Sequence, residues 1–203
     1  MIPIVTKDGD KKPWYDGIRY DSKEEVYFSW WLDDVHNAGY ITEFDYHCEN
    51  FLLSESAKYS HIKQLKAKIK LMPGVLLSAH FYKPDFKITW SDKAFNVFFG
   101  NHVKKSKYPF FSECLGEPCY VDVKGGYEKQ SSRTQVFTMN QKWMYFKYSI
   151  YIQKIVPEKL FAETFYPSRY CHTDKSMKLR KGSGGFVSLK QFETMKIAEV
   201  CGL

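Results

Sequence analysis

Three stretches of this chain carry side chains that could do chemistry together: Glu25, Asp85 behind Pro84, and Asp122-Val123-Lys124. Along a strand, residues i and i+2 share a face, so Asp122 and Lys124 project together while Val121 and Val123 turn into the core. A carboxylate beside an ammonium is by itself a surface pair of little worth. A second carboxylate arriving on a neighbouring strand changes that. Two or three acids converging near one lysine repel unless a cation sits among them, and an all-oxygen donor set suits Mg2+ or Mn2+. A metal there would polarise a phosphodiester and lower the pKa of a bound water. Lys124 would position that water or stabilise charge developing on the phosphorane. Phosphodiester hydrolysis is the chemistry these residues predict.

The charge distribution points to a matching substrate. The 203 residues carry a net charge of +7, but residues 1–57 hold 5 basic and 12 acidic side chains, whereas residues 124–203 hold 14 basic and 6 acidic. Residues 58–70 add five lysines and no acid. Such asymmetry suggests one surface facing a polyanion, and nucleic acid is the usual partner. Lys63, Lys66, Lys68, Lys70, Lys142, Lys178, Arg180 and Lys181 are the expected DNA-backbone contacts. The plainer alternative is a basic surface without a partner. The glycine-rich loop at 182–185 lacks the lysine and hydroxyl of an ATP-binding loop and reads as a flexible phosphate contact.

With 44% hydrophobic and 18% aromatic residues the chain can build a sizeable core, which excludes global disorder. A single domain is expected over 1–203, with a core at about 15–156, an insertion at about 91–118 and a basic extension at 157–203. No stretch approaches the ~18 apolar residues of a membrane span, and the N-terminus lacks the basic-then-apolar order of a secretory signal. A soluble, cytoplasmic protein is expected. Cys48, Cys114, Cys119, Cys171 and Cys201 contain no Cys-x-x-Cys pair; Cys114 and Cys119 near His102 would be the zinc candidates, but reduced structural thiols fit the spacing better. The six histidines show no ligand spacing and read as structural or surface residues.

The elements that must position these groups are α and β in alternation. Ser22 caps a helix to about Asn37, with Glu25 completing a capping box and Phe28, Trp31, Leu32 and Val35 as its apolar stripe. A strand is expected at 41–53. In 58–70, Leu65, Ala67, Ile69 and Leu71 alternate with Gln64, Lys66, Lys68 and Lys70, favouring a strand with one lysine face over a helix. Met72-Pro73-Gly74 reads as a turn, and 75–90 as strand interrupted at Lys83-Pro84-Asp85. Residues 92–118 read as an inserted hairpin or loop, Cys119–Lys124 as a short strand, Thr134–Tyr148 as a helix, Ile150–Val156 as a strand and Ser188–Val200 as a closing helix. Tyr145, Tyr148 and Tyr151 sit at core spacing, with base stacking as the alternative.

Three segments, taken in order, resemble the PD-(D/E)xK, or restriction-endonuclease-like, nuclease superfamily, most closely phage endonucleases of the Holliday-junction-resolving endonuclease I type. Tyr20-Asp-Ser-Lys-Glu-Glu25 resembles that group's Ser-x-x-Glu helix, Tyr82-Lys-Pro-Asp-Phe86 its Tyr-x-Pro-Asp-Phe strand, and Tyr120-Val-Asp-Val-Lys-Gly125 its (Glu/Asp)-x-Lys-Gly strand. Gln141-Lys-Trp-Met-Tyr145 is similar to the Gln-x-x-x-Tyr of helicase-linked nucleases. The likeness covers about residues 15–156. It implies a central mixed sheet flanked by helices, Mg2+ or Mn2+ as cofactor, branched DNA as substrate, a homodimer making paired cuts, and a role in phage DNA recombination.

By that resemblance Asp85, Asp122 and the Val123 carbonyl would be metal ligands, Glu25 would hold the metal or its water, and Lys124 would be the catalytic lysine. Glu25 is taken from the motif, since the capping box competes for it and Glu24 lies nearer the middle of the apolar stripe. One departure stands out: 36 residues lie between Asp85 and Asp122, where compact members of the group use a short turn. The extra piece, with Lys104, Lys105 and Lys107, is expected to be a DNA-binding arm, a dimer contact, a lid or a solvated loop. A transposon-end-cleaving or restriction-type nuclease shares this chemistry. A non-catalytic DNA-binding module that keeps the fold, or an RNA-binding accessory protein, would not use the carboxylates.

Overall fold

The computed structural model describes residues 4–6, 10–47, 49–66, 68–95, 97–100, 109–111, 117–126 and 132–201. In chain order the elements are β1 (Trp14–Tyr15), β2 (Ile18–Arg19), α1 (Lys23–Asn37), β3 (Ile41–Tyr46), β4 (Phe51–Ser54), β5 (Ala57–Gln64), β6 (Ile69–Leu77), β7 (His80–Tyr82), β8 (Phe86–Trp90), β9 (Phe99–Gly100), β10 (Phe110–Phe111), β11 (Pro118–Val123), α2 (Ser132–Tyr148), β12 (Ile152–Ile155), α3 (Pro157–Glu163) and α4 (Leu189–Cys201).

The α1 helix starts where its local chemistry says it should. The Ser22 Oγ accepts from the Glu25 N–H at 3.3 Å, and Glu25 reaches back with Oε2 to the Asp21 N–H at 2.9 Å. Gly39, with φ +78°, lies just beyond its C-cap, Ala38. Phe28, Trp31, Leu32 and Val35 are buried along one side. They cover a four-stranded mixed sheet of order β12-β11-β8-β3, parallel between β11 and β12 and antiparallel elsewhere. Phe86, Ile88 and Trp90 alternate inward from β8 as a half-covered strand requires, while Lys87 on the other face binds Glu49 Oε1 at 2.6 Å. The interior strand β11 is buried on both faces. Its Cys119, Val121 and Val123 join the α1 core, while Tyr120 packs with Phe137 and Met144 of α2 and Ile152 of β12. The chain is therefore α/β, with a central mixed sheet flanked by helices.

Several expectations are corrected. The expected strand at 41–53 breaks at His47, which takes φ +55° between β3 and β4. The lysine-rich stretch is not one strand: the chain reverses at 65–68, where the Leu65 N–H bonds the Lys68 carbonyl, and β5 pairs with β6 from Ala57↔Leu77 to Gln64↔Ile69. Met72-Pro73-Gly74 lies inside β6 rather than in a turn. A two-stranded ribbon has open edges, which tolerate the proline, and the Tyr59 ring covers Gly74 so closely that a Cβ there would sit 2.6 Å from it. Continued by β4 and β7, this ribbon runs out from Tyr82, three residues before Asp85.

The expected insertion at 91–118 is not a solvated arm where it is described. Phe98, Phe99 and Phe110 are buried, and β9 pairs with β10 in parallel, not as a hairpin. Trp31 is ringed by Trp90, Phe98, Phe110 and Phe165, all within 6.4 Å between ring centroids. Lys104, Lys105, Lys107, His102, Cys48 and Cys114 lie outside the described residues. The α3 helix, which begins on Pro157 at its first turn, had no sequence expectation. No helix among the described residues is long and apolar enough to cross a membrane.

Candidate active site

Asp85 immediately precedes β8 and extends its ladder with β11: the Asp85 N–H donates to the Val121 carbonyl at 3.0 Å. That pairing sets the Asp85 side chain beside the end of β11, where its Oδ2 accepts from the Val123 N–H at 2.7 Å. One residue earlier on β11, Asp122 is buried and its Oδ2 is bound by Lys124 Nζ at 2.6 Å. Lys124 is held in turn by its backbone, whose N–H donates to the Ile155 carbonyl of β12, and its Nζ lies 5.6 Å from the centre of the Phe137 ring. Adjacent strands thus bring Asp85, Asp122 and Lys124 together across 36 intervening residues.

Electrostatics agree with the geometry. Burial, then the Asp122 charge, then the Glu25 charge push the Asp85 carboxyl up to about 8, against the Val123 N–H and Lys124, which pull it down. The Tyr82 hydroxyl is buried without a hydrogen bond of good geometry, and burial together with the charges of Asp122 and Asp85 drives its pKa strongly upward. Two mutually repelling carboxylates around one lysine make a site short of positive charge. Each aspartate has one oxygen committed, Asp85 Oδ2 to Val123 and Asp122 Oδ2 to Lys124. All-oxygen donors under this repulsion fit a hard divalent cation such as Mg2+ or Mn2+.

Glu25 sits close enough to raise the Asp85 pKa, but its carboxylate is occupied. Oε1 accepts from Ser22 Oγ at 2.8 Å, and Oε2 accepts from both the Asp21 N–H and, at 2.5 Å, the Tyr46 hydroxyl. Its neighbour Glu24 is half-exposed and lies against Gly125, with Oε1 3.6 Å from where a Cβ would stand. Among the described residues no three His, Cys, Asp or Glu side chains gather in metal-ligand geometry. Further ligands would come from backbone and water. The Val123 N–H is taken by Asp85 Oδ2.

His47 is the residue sequence reasoning missed. Its N–H donates to the Asp85 carbonyl at 2.9 Å, and its Nε2 stands 3.8 Å from Asp21 Oδ2 and 4.0 Å from Asp85 Oδ1. The ring stacks on Tyr46 at 3.8 Å, and burial followed by the nearby Lys83 charge lowers its pKa. No spacing signalled it, because a bulge-like left-handed residue between two strands brings it in.

The expected DNA contacts divide. Lys63, Lys66, Lys68 and Lys70 are exposed on the ribbon or its tip, with Lys63 directly opposite Lys70. Like charges so placed destabilise a ribbon in isolation. Lys142, Lys178 and Lys181 are exposed as well. Arg180 is engaged internally: it binds Asp174 Oδ1 at 2.5 Å and the Tyr170 and His172 carbonyls, and stacks on Tyr170. Asp174 also binds Lys23 at 3.1 Å, which sets this basic loop beside the start of α1. Gln141 donates to the Ile152 carbonyl at 2.6 Å and so ties α2 to β12. Of the tyrosines, Tyr148 packs on Phe51 and donates to Leu52, whereas Tyr145 and Tyr151 are exposed.

The raised Asp85 pKa has a measurable consequence. In the unfolded chain an aspartate titrates near ~3.9, so the fold favours the protonated form. That contribution is fully present below about pH 4 and is lost as pH rises through about 8. Asp85→Asn keeps an acceptor for the Val123 N–H and removes the charge. In metal-free protein at pH 8 it should stabilise by about 2 kcal/mol, raising Tm by ~4–8 °C, with almost no effect at pH 4. Mn2+ should raise the Tm of the wild type at pH 8 and leave the variant unmoved. Identical melting of both proteins at pH 8 without metal would contradict this electrostatic picture.

Set against protein-family models, curated proteins and solved structures, the chain matches none of them.

Proposed function

We propose that this chain is a divalent-metal-dependent DNA endonuclease of the PD-(D/E)xK kind, acting on branched DNA as a homodimer. The observation that carries the reading is the convergence of Asp85, Asp122 and Lys124 at the ends of adjacent strands β8 and β11. The order of a capped acidic helix, a Pro-Asp strand and an Asp-x-Lys strand around one mixed sheet supports the finer fold assignment.

Asp85 and Asp122 would hold the cation with their uncommitted oxygens. When bound, the cation supplies Lewis acidity toward the scissile phosphate and acidifies its own water. Lys124 Nζ donates to Asp122 before substrate arrives and is placed to donate to the attacking water or to a non-bridging phosphate oxygen. Glu25 acts at one remove. By accepting from Tyr46, Ser22 and Asp21 it fixes the start of α1 against β3 and holds a negative charge near Asp85. The ribbon lysines hold the phosphate backbone. Substituting Lys63 and Lys70 together with alanine should weaken junction binding across all sequences and reduce the slope of log K against log salt by about 2, read by anisotropy from ~50 to ~200 mM salt.

The test is cleavage of a labelled four-way junction in Mg2+, with matched linear duplex and single strand alongside and EDTA as the blank. Symmetric cuts near the branch support the full proposal. Cutting of linear duplex without branch preference keeps the nuclease and favours the transposon-end or restriction type. A second reading, a DNA-binding module without catalysis, is favoured by the occupied Glu25 carboxylate. Tight junction binding with no cleavage in either Mg2+ or Mn2+ would select it.

A further inference from the structure

The α2 helix carries two apolar stripes. Its inner side buries Phe137 and Met144 against Tyr120 and Ile152. About a third of a turn away Val136, Met139, Trp143 and Phe146 recur at spacings of three and four, the periodicity of one helical stripe. All four are exposed, Phe146 by 91%. A solvent face has no reason to carry Trp and Phe in register, and stripes of this kind mark a binding surface. Trp143 is already held in place, its ring edge-on to His80 at 5.4 Å.

The charge around the stripe says what covers it. Lys142 lies on one flank and Lys147 on the other, and residues 129–157 contain five cations and no acid. A second copy laid along the same stripe would set Lys142 and Lys147 against their own counterparts, and the described residues of α2 hold no carboxylate to balance them. A polyanion with apolar faces of its own meets both demands. Nucleobases are such faces, but in a duplex they are stacked on one another, and only the base edges and phosphates reach the grooves. Unpaired bases present the face itself, and aromatic side chains interleaved with cations are the usual way proteins take them.

We infer that the outer face of α2 is a stacking platform for unpaired nucleobases of DNA, with Trp143 and Phe146 against the bases and Lys142 on the backbone. This rests on the DNA reading of the site and sharpens it: the substrate carries unpaired nucleotides next to the bond that is cut. The position agrees, because Phe137, beside the first residue of the stripe, lies 5.6 Å from Lys124 Nζ. Phe146, nine residues on, is then about 14 Å further along the helix.

The test is binding of oligo-dT of about 15 nucleotides to the full chain in EDTA, followed by tryptophan fluorescence and anisotropy. Trp30, Trp31 and Trp90 are buried and Trp14 is half-buried, so the quenching assigned to Trp143 is the part that is lost in Trp143→Phe. Phe146→Ala should weaken oligo-dT about tenfold while leaving blunt linear duplex unchanged. Its side chain lies in solvent, so loss of folding is not a competing cause, and far-UV circular dichroism checks this. Unchanged oligo-dT binding in both variants overturns the inference. So does a wild-type dimer that Phe146→Asp converts to monomer with oligo-dT binding intact, which would make the stripe a protein contact. Because no metal is present, binding is read apart from cleavage. An inactive protein whose oligo-dT binding depends on Phe146 keeps the platform and loses the nuclease, and cleavage with Phe146-independent binding does the reverse.

Discussion

Lys124→Ala should slow Mg2+-dependent cleavage of a four-way junction by a factor of about 10³ while leaving binding of the uncleaved junction largely intact. The magnitude follows from what a single positioned donor contributes to a charged transition state in a partly dry site, about 10²–10³ in rate, with proton management adding to it. Lys124 Nζ holds the Asp122 carboxylate at 2.6 Å, and its backbone is fixed by β12, so its ammonium is positioned before substrate arrives. Lys124→Arg should not rescue, because a planar fork cannot replace a compact ammonium at that distance. The substitution also has a structural side. It leaves the buried Asp122 beside Asp85 with one cation fewer, so metal-free Lys124→Ala should melt below the wild type at pH 8. Asp122→Asn combined with Lys124→Met separates the two effects, since it removes the stranded charge: stability should return while cleavage does not. Single-turnover rates at saturating protein are the readout. Lys124→Ala activity within tenfold of wild type would remove Lys124 from the chemistry and leave the triad as a structural charge cluster.

Trp31→Ala should cost about 4 kcal/mol of stability, among the largest effects of any single substitution in the chain. Trp31 has no solvent exposure and is surrounded by Phe28, Trp90, Phe98, Phe110 and Phe165. These neighbours come from α1, from β8, from the 97–111 region and from the segment after α3, so no single element can move inward to refill the space. Collapse is therefore incomplete, and a cavity term adds to the lost transfer energy. The hydrogen bond from Trp31 Nε1 to Thr164 Oγ1, 3.2 Å, is a smaller part, because that hydroxyl also donates to the Leu160 carbonyl. The measurement is urea unfolding. The midpoint should fall with the slope m unchanged, and Tm should drop by ~8–16 °C. A loss under 1 kcal/mol would mean that the segment carrying Phe98 and Phe110 does not pack as described.

Much of the candidate site's arrangement was legible in the sequence. Pro84-Asp85 and Asp122-Val123-Lys124 needed only strand alternation to put Asp122 and Lys124 on one face, and the structure has them paired. The start of α1 was legible too, since a serine followed three residues later by glutamate is satisfied within a single turn. At Glu25 two demands meet. The motif gives Glu25 to the metal, while in the structure its oxygens accept from the cap and from Tyr46, which arrives from β3. Arg180 looked like a free cation in a basic run, but Asp174 and two carbonyls engage it.

What the sequence alone determined are features with short periods: helix caps, apolar stripes and the inward alternation of β8. Each is set by contacts within a few residues of chain. Only tertiary structure decided where the lysine-rich segment turns, because alternation reads the same whether a strand continues or reverses at 65–68. It alone decided that Phe98, Phe99 and Phe110 complete the core around Trp31, since aromatics in an irregular segment carry no period. It also brought His47 to Asp85 through one left-handed residue, and left the second apolar stripe of α2 facing outward. These outcomes depend on pairings far apart in the chain, and the packing that selects among them is a property of the whole molecule rather than of any window of it.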